Sequence, residues 1–146
     1  MPASEPVRPE VAELDSIRHL ILTAGLAPDA TATVGDATAI AAPRLLTDDE
    51  VAEITHWAGQ ERLDGLAWRA LGSPDSPWPL TDDQRAALLD CHLGGLRATV
   101  AAEATAVWAV GALDAVDVAS WLLKGLASGH LDYPDPALRT SFDADV

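Results

Sequence analysis

The chain has 146 residues, enough for one domain that buries roughly two-thirds of the surface of its unfolded state. Its residues are 49% hydrophobic and 22% charged, which argues against general disorder. Its 23 acidic and 9 basic residues leave a formal net charge of −14. Because so acidic a surface repels phosphate backbones and anionic lipids, direct nucleic-acid binding and attachment to a membrane surface are disfavoured.

Cysteine content and the N-terminal sequence exclude further classes of protein. Cys91 is the only cysteine, so an intrachain disulfide is excluded, and no Cys/His cluster has the spacing of a zinc site. Residues 1–10 lack the apolar core of a signal peptide. No apolar run reaches the about 18 residues of a membrane-spanning helix. We therefore expect a cytoplasmic protein without a membrane span.

The first part of the chain is predicted to contain a tail, a helix and a linker. Residues 1–8 are predicted to be a disordered tail, and residues 9–43 a helix followed by a linker. Apolar residues at helical spacing place the helix between Pro9 and Gly25, and the linker includes a short extended piece at Thr31–Val34. The apolar residues of this helix are Val11, Leu14, Ile17, Ile21 and Leu22.

Residues 44–113 are predicted to form a helical region. Thr47 and Thr81 each begin a capping box, in which the threonine side chain accepts from the amide three residues later and the acidic or amide side chain there reaches back. A short helix is predicted at 61–71, and the prolines of 72–79 exclude a helix there. The residues predicted to be buried in the first two helices of this region are Val51, Ile54, Ala58, Leu63, Leu66, Ala67 and Leu71.

The longest helical pattern covers residues 82–113, and we expect Gly94 and Gly95 to weaken or bend it. One apolar seam is predicted to face the core, and it comprises Leu89, Leu93, Leu96, Val100, Ala104, Val107 and Val110. Four tryptophans within helix or strand patterns are predicted to pack in the core: Trp57, Trp68, Trp108 and Trp121. Trp78 lies between prolines and is predicted to be a loop residue that caps a helix end.

The pattern of residue types changes in residues 114–146. The β-branched and aromatic stretch Val116–Leu123 predicts a strand, which ends at Lys124 and Gly125. A short helix is predicted at Leu126–Leu131. A glycine turn before a helix allows a phosphate to approach free backbone N–H groups, and a lysine there adds positive charge. The alternative is an ordinary helix start with a solvated lysine.

Residues 139–146 alternate acidic with small or apolar residues and predict a second strand, with Asp143 and Asp145 on one face. Two carboxylates this close need a cation between them or must share a proton. Mg²⁺, which takes carboxylate oxygens together with substrate phosphates, is the usual solution. Arg139, just before the strand, is a candidate for a further phosphate contact. The alternative is a solvated strand end.

Three segments resemble the signature of the bacterial "uncharacterised nucleotidyltransferase" family, within the DNA polymerase beta-like nucleotidyltransferase superfamily. They are Trp121-Leu-Leu-Lys-Gly-Leu-Ala, Leu131-Asp-Tyr-Pro-Asp-Pro-Ala-Leu-Arg139 and Phe142-Asp-Ala-Asp-Val146. The resemblance covers about residues 45–146 and is specific over 121–146. It implies an α+β fold with a mostly helical N-terminal part followed by a mixed β-sheet. It also implies transfer of a nucleoside monophosphate from an NTP to an unknown acceptor hydroxyl, with Mg²⁺ as the cofactor.

By this resemblance, Lys124, Gly125 and Arg139 bind the nucleotide, and Asp143 and Asp145 are the catalytic, metal-binding carboxylates. Two features depart from the family pattern. Phe142 stands where the family commonly has a small residue. The superfamily uses a third carboxylate on a later strand, and the sequence ends at Val146. We therefore expect residues 114–146 to be the first half of the catalytic core, incomplete or inactive in this chain alone.

A second interpretation belongs to a different class of protein. The chain is then a non-catalytic, alanine-rich helical interaction module. An unpaired strand at 142–146 has open backbone hydrogen-bonding groups, so it invites pairing with a partner chain or with a second copy. Magnesium-dependent nucleotide binding distinguishes the first interpretation, and association without a nucleotide effect distinguishes the second.

Overall fold

A computed structural model describes residues 9–26, 44–74, 76 and 78–146 of the chain. Five α-helices and one short 3-10 helix make up the regular structure of these ranges. They are α1 (Pro9–Leu26), α2 (Asp48–Glu61), α3 (Asp64–Leu71), α4 (Asp82–Asp114), α5 (Lys124–Asp132) and the 3-10 helix (Pro136–Leu138). The predicted tail at 1–8 and the linker at 27–43 lie outside the described residues.

The short helix α3 is the centre of the core. It contacts α1, α2, α4 and the 3-10 helix, and most of its residues are buried, including Leu66 and Ala67 at 0% exposure. Full burial of one such leucine contributes about 1.5–3 kcal/mol relative to exposure. The side chains that surround α3 in the core include Leu14, Ile17, Leu20, Ile21, Leu46, Val51, Ile54, Ala58, Trp78, Leu80, Leu88 and Leu138.

Both capping boxes are confirmed. The amide of Glu50 donates to Thr47 Oγ1 at 3.3 Å while the Thr47 amide donates to the Glu50 carboxylate at 2.8 Å. The hydrogen bond from Arg44 holds the pKa of Glu50 at about 2, so the cap stays ionised at neutral pH. Thr81 and Gln84 make the equivalent pair of bonds at 3.0 and 3.2 Å.

Most of the predicted buried residues of the first three helices are confirmed. The confirmed ones are Leu14, Ile17, Ile21, Val51, Ile54, Ala58, Leu63, Leu66, Ala67 and Leu71. Leu22 is 39% exposed, against the prediction. The side chain of Val11 lies outside the described part of α1.

The predicted core-facing seam of α4 is wrong. The helix runs unbroken through Gly94 and Gly95, and it buries Gln84, Leu88, Gly95, Thr99, Ala102 and Ala106. Val100 and Val107 of the predicted seam are 56% and 74% exposed. The reason is that the second half of α4 extends past the main core. Its small residues instead face a minor cluster with Leu126.

The tryptophan predictions are wrong at two positions, since Trp108 and Trp121 are 74% and 79% exposed. Trp78 is a loop residue as predicted, between α3 and α4, and its side chain is 1% exposed in the main core. Trp57 and Trp68 pack against the main core as half-buried side chains.

The predicted α+β fold with a mixed β-sheet is wrong, since the described residues contain helices and no strand. Residues 116–118 close the end of α4 instead of pairing: the amides of Val116 and Val118 both donate to Leu113 O, at 3.1 and 3.0 Å. Within the described ranges, the single β-type pairing is an isolated antiparallel bridge between Leu123 and Asp145. The short helix predicted at 126–131 is confirmed as α5.

Helix α4 is also long and apolar enough to cross a membrane, judged by length and composition alone. It is the one such helix among the described residues, and 17% of its apolar window is buried. The sequence analysis looked for a continuous apolar run and therefore missed this candidate. A single helix of this kind is weak evidence for a membrane span, because core helices of other proteins pass the same test.

Gly94 and Gly95 provide a matched test of the packing. A Cβ on Gly95 would lie 2.4 Å from Thr140 Oγ1 and 3.0 Å from Asp64 Oδ2, whereas a Cβ on Gly94 would meet nothing within 4 Å. We expect Gly95→Ala to lower the free energy of unfolding by about 1–3 kcal/mol through overpacking. Gly94→Ala should raise it by about 0.5–1 kcal/mol through helix propensity. Urea denaturation followed by circular dichroism measures both, and equal changes in the two variants would contradict this packing.

Candidate functional site

The C-terminal residues reach the candidate site by crossing the beginning of α3. Asp135 caps the 3-10 helix by accepting from the Ala137 amide at 2.9 Å, and Leu138 is buried in the main core. A Cβ on Gly65 would lie 2.2 Å from Ala137 O. Glycine is therefore required at position 65 for the two backbones to approach each other so closely.

Thr140 is held at its backbone and its side chain. Its amide donates to Arg62 O at 3.0 Å, and its hydroxyl donates to Asp64 Oδ2 at 2.9 Å. The other oxygen of Asp64 accepts from the Cys91 thiol at 3.1 Å. Burial, followed by the hydrogen bond and charge of Asp64, raises the pKa of Cys91 to about 12. A raised pKa keeps the Cys91 thiol protonated at neutral pH, which disfavours a nucleophilic role.

Ser141 continues the attachment toward α4 and α5. Its amide donates to Thr99 Oγ1 at 2.9 Å, and Thr99 in turn donates to Gly95 O at 3.1 Å. A Cβ on Gly125 would lie 3.0 Å from Ser141 Oγ. Gly125 thus allows the first turn of α5 to lie directly against the C-terminal residues, so the predicted glycine turn and the predicted aspartate segment are neighbours.

Lys124 and Asp145 meet at the isolated bridge. The Leu123 amide donates to Asp145 O at 3.0 Å, and the Lys124 ammonium lies 3.2 Å from Asp145 Oδ2. Their side chains are 75% and 34% exposed. Both side chains are therefore accessible to solvent.

Asp143 faces a cation that the sequence analysis missed. The Arg62 guanidinium lies 3.6 Å from Asp143 Oδ1 and 5.3 Å from the centroid of the Phe142 ring. Arg62 follows α2, distant in sequence from the motif at 121–146, so no spacing pattern pointed to it. The acidic pair predicted on one strand face therefore has a separate positive partner for each carboxylate.

Arg139 turns toward Tyr133 rather than toward the two aspartates. Its guanidinium lies 5.9 Å from the Tyr133 ring centroid, and its Nη1 is 3.5 Å from the tyrosine hydroxyl. Its Nε is buried and makes no hydrogen bond. Of the predicted site residues, Lys124, Gly125 and Asp145 are thus in one cluster, and Asp143 adjoins it through the same segment.

The two carboxylates are the candidate metal ligands of the site. Asp143 and Asp145 offer exposed carboxylate oxygens, which Mg²⁺ uses in ones or twos together with waters and substrate phosphates. Among the described residues, no group of three or more His, Cys, Asp or Glu could hold a metal ion. The described residues therefore form no metal centre from protein ligands alone, and each of the two carboxylates faces a cation of the chain.

Two cavities bear on ligand size. A cavity of about 250 Å³ lies between Phe142–Ala144 and α4, below the roughly 300–1,000 Å³ of usual small-molecule sites. A larger one, of about 820 Å³, lies between α2 and α4 and contains none of the predicted site residues. Its charged lining is acidic, with Asp48 and Asp83, and disfavours phosphate.

Comparison with protein-family models, with curated proteins and with solved structures gave no match. The resemblance to a nucleotidyltransferase family therefore stays a prediction that depends on the residues of 121–146.

Proposed function

We propose that this chain takes part in magnesium-dependent nucleotidyl transfer, with an NTP as donor and a hydroxyl group of unknown identity as acceptor. Two things support the proposal: the resemblance over 121–146, and one observation of geometry. The bridge between Leu123 and Asp145 brings the Lys124 ammonium to 3.2 Å from the Asp145 carboxylate, beside the glycine that begins α5. A lysine, a glycine turn and an acidic residue so arranged can serve a metal-bound triphosphate.

Each residue has a role in the proposed chemistry. Asp143 and Asp145 would hold the Mg²⁺ that accompanies the triphosphate, and through it would orient the α-phosphate for in-line attack. Lys124 binds phosphate oxygens, and Arg139 does so only once its guanidinium leaves the Tyr133 ring. Gly125 lies directly against Ser141, so its role is to let the first turn of α5 pack beside the aspartate segment. When bound, Mg²⁺ stabilises the charge on the attacking and leaving oxygens.

The proposal has consequences for turnover and for location. With only two carboxylates at the site, we expect the chain to bind a magnesium–nucleotide complex and to turn it over slowly or not at all by itself. The phosphate-binding cations lie in a chain of net charge −14, so a single nucleotide suits the site better than a nucleic-acid backbone. We propose a cytoplasmic location, where NTPs and Mg²⁺ are abundant.

Asp143→Asn/Asp145→Asn tests the proposed function. We expect the unaltered chain to bind at least one of ATP, GTP, CTP and UTP in isothermal titration with MgCl₂, and none without it. The double variant should lose about tenfold or more in affinity, because charge-assisted contacts are removed.

The matched control is Asp114→Asn/Asp117→Asn, which removes the same number of charges from two exposed residues of the same half of the chain. It should bind like the unaltered chain. Absence of binding by the unaltered chain, or equal binding by the two double variants, would refute the proposed function.

A second candidate function is favoured by a specific observation. Large apolar side chains are exposed along the second half of α4 and the segment after it, namely Val100, Val107, Trp108, Val110, Val116, Val118 and Trp121. Exposed apolar surface on this scale is typical of interaction sites. In this alternative the chain is a non-catalytic module that pairs with a second copy or with a partner chain.

Sedimentation velocity over a range of concentrations tests this alternative. We expect concentration-dependent association that Mg·ATP does not change, weakened about tenfold or more by Trp108→Ser/Trp121→Ser, because buried tryptophans dominate interface energy. Leu131→Ser, which removes an 82% exposed leucine elsewhere on the surface, is the control. Behaviour as a monomer at every concentration would count against self-association.

A further inference from the structure

We propose that Arg62 is a phosphate-binding residue of the candidate site. While no nucleotide is bound, Arg62 pairs with Asp143, and when a nucleotide binds, Arg62 turns to its triphosphate. The inference rests on the proposed function. It concerns a residue outside the motif at 121–146, between α2 and α3.

The backbone of Arg62 is the first observation. Arg62 has φ 61° and ψ 37°, a left-handed conformation in which a helix usually has glycine. Among the described residues, three that are not glycine have positive φ: Arg62, Asp117 and Lys124. Two of these three are the cations that face Asp143 and Asp145. Strained backbone concentrates at ligand sites, so an observed outlier is a reason to ask what its side chain does.

The fixed position of Arg62 is the second observation. Its amide donates back to Ala58 O and Gly59 O, and its carbonyl accepts from the Thr140 amide at 3.0 Å. Thr140 is three residues before Asp143. The arginine and the aspartate segment are therefore joined through backbone, which keeps the guanidinium within reach of the site.

The surroundings of the guanidinium are the third observation. It lies 5.3 Å from the Phe142 ring centroid and 3.6 Å from Asp143 Oδ1, and the Arg62 side chain is 39% exposed. A cation over an aromatic face is stabilised there without losing its hydrogen-bonding edges. Phe142, where the resembled family commonly has a small residue, thus supports Arg62 beside the predicted metal-binding carboxylates.

A phosphate can replace Asp143 as the partner of Arg62. Exposed ion pairs contribute little to stability, because solvent screens them. A phosphate offers an arginine two parallel charge-assisted hydrogen bonds, a stronger arrangement than a single contact at 3.6 Å. A bound triphosphate therefore draws Arg62 away, and the carboxylate of Asp143 becomes available to a cation.

Arg62→Gln tests the inference through two separate titrations of the full chain. With Mg·ATP, we expect affinity to fall about tenfold or more, because contacts between a charged donor and phosphate are lost. With Mn²⁺ alone, we expect affinity that is equal or higher, because Asp143 no longer has a competing cation. This opposite response separates a phosphate-binding role from a purely structural one.

Arg18→Gln is the matched control, since Arg18 also lies over an aromatic ring, Trp57 at 5.6 Å, and pairs with a carboxylate, Glu53 at 3.0 Å. It should leave both titrations unchanged. Arg62→Gly serves as a second variant, because glycine accepts the left-handed backbone freely, and it should reproduce the Arg62→Gln result in a folded chain.

The outcomes separate this inference from the proposed function. Binding of Mg·ATP by the unaltered chain and by Arg62→Gln with equal affinity would overturn the role of Arg62 alone. Loss of both Mn²⁺ and Mg·ATP binding in both Arg62 variants would also overturn it, by assigning a structural role. Failure of the unaltered chain to bind Mg·ATP at all would overturn the proposed function and this inference with it.

Discussion

The buried carboxylate of Asp64 is the group on which the C-terminal part of the structure depends. It is 4% exposed and accepts from Thr140 Oγ1 at 2.9 Å and from the Cys91 thiol at 3.1 Å. A buried carboxylate without donors is costly, so Asp64 favours the arrangement in which Thr140 lies against α3 and α4. Gly95 permits this arrangement, because a side chain there would occupy the space of the threonine.

This contact sets the register of the residues that follow Thr140. Thr140 and Ser141 are both buried, whereas the next residue, Phe142, is 58% exposed. One residue of slippage would therefore exchange the buried Ser141 for the exposed Phe142, and would move Asp145 away from Lys124. The candidate site is thus a product of helix packing rather than of a sheet. Its two carboxylates are each faced by a cation, which locally offsets the strongly acidic character of the chain.

Local signals in the sequence predicted the helices well and their packing less well. The boxes at Thr47 and Thr81 act within four residues, so their outcome did not depend on the rest of the fold. The predicted strand at 116–123 failed because β-branched composition does not supply a pairing partner, and its first residues close α4 instead. The motif at 121–146 predicted Lys124 and Asp145 as site residues. Arg62 lies near Asp143 only because of tertiary contacts, and the spacing of residues in a sequence does not predict such contacts.

Amide hydrogen exchange at Leu123, compared between the unaltered chain and Thr140→Val, tests most directly whether the Asp64–Thr140 contact organises the site. The Leu123 amide donates to Asp145 O at 3.0 Å and depends on the register of the C-terminal residues. We predict that this amide is protected in the unaltered chain and loses protection in the variant, while amides of α2 keep theirs. Unchanged protection of Leu123 in Thr140→Val, or its absence in the unaltered chain, would contradict the account.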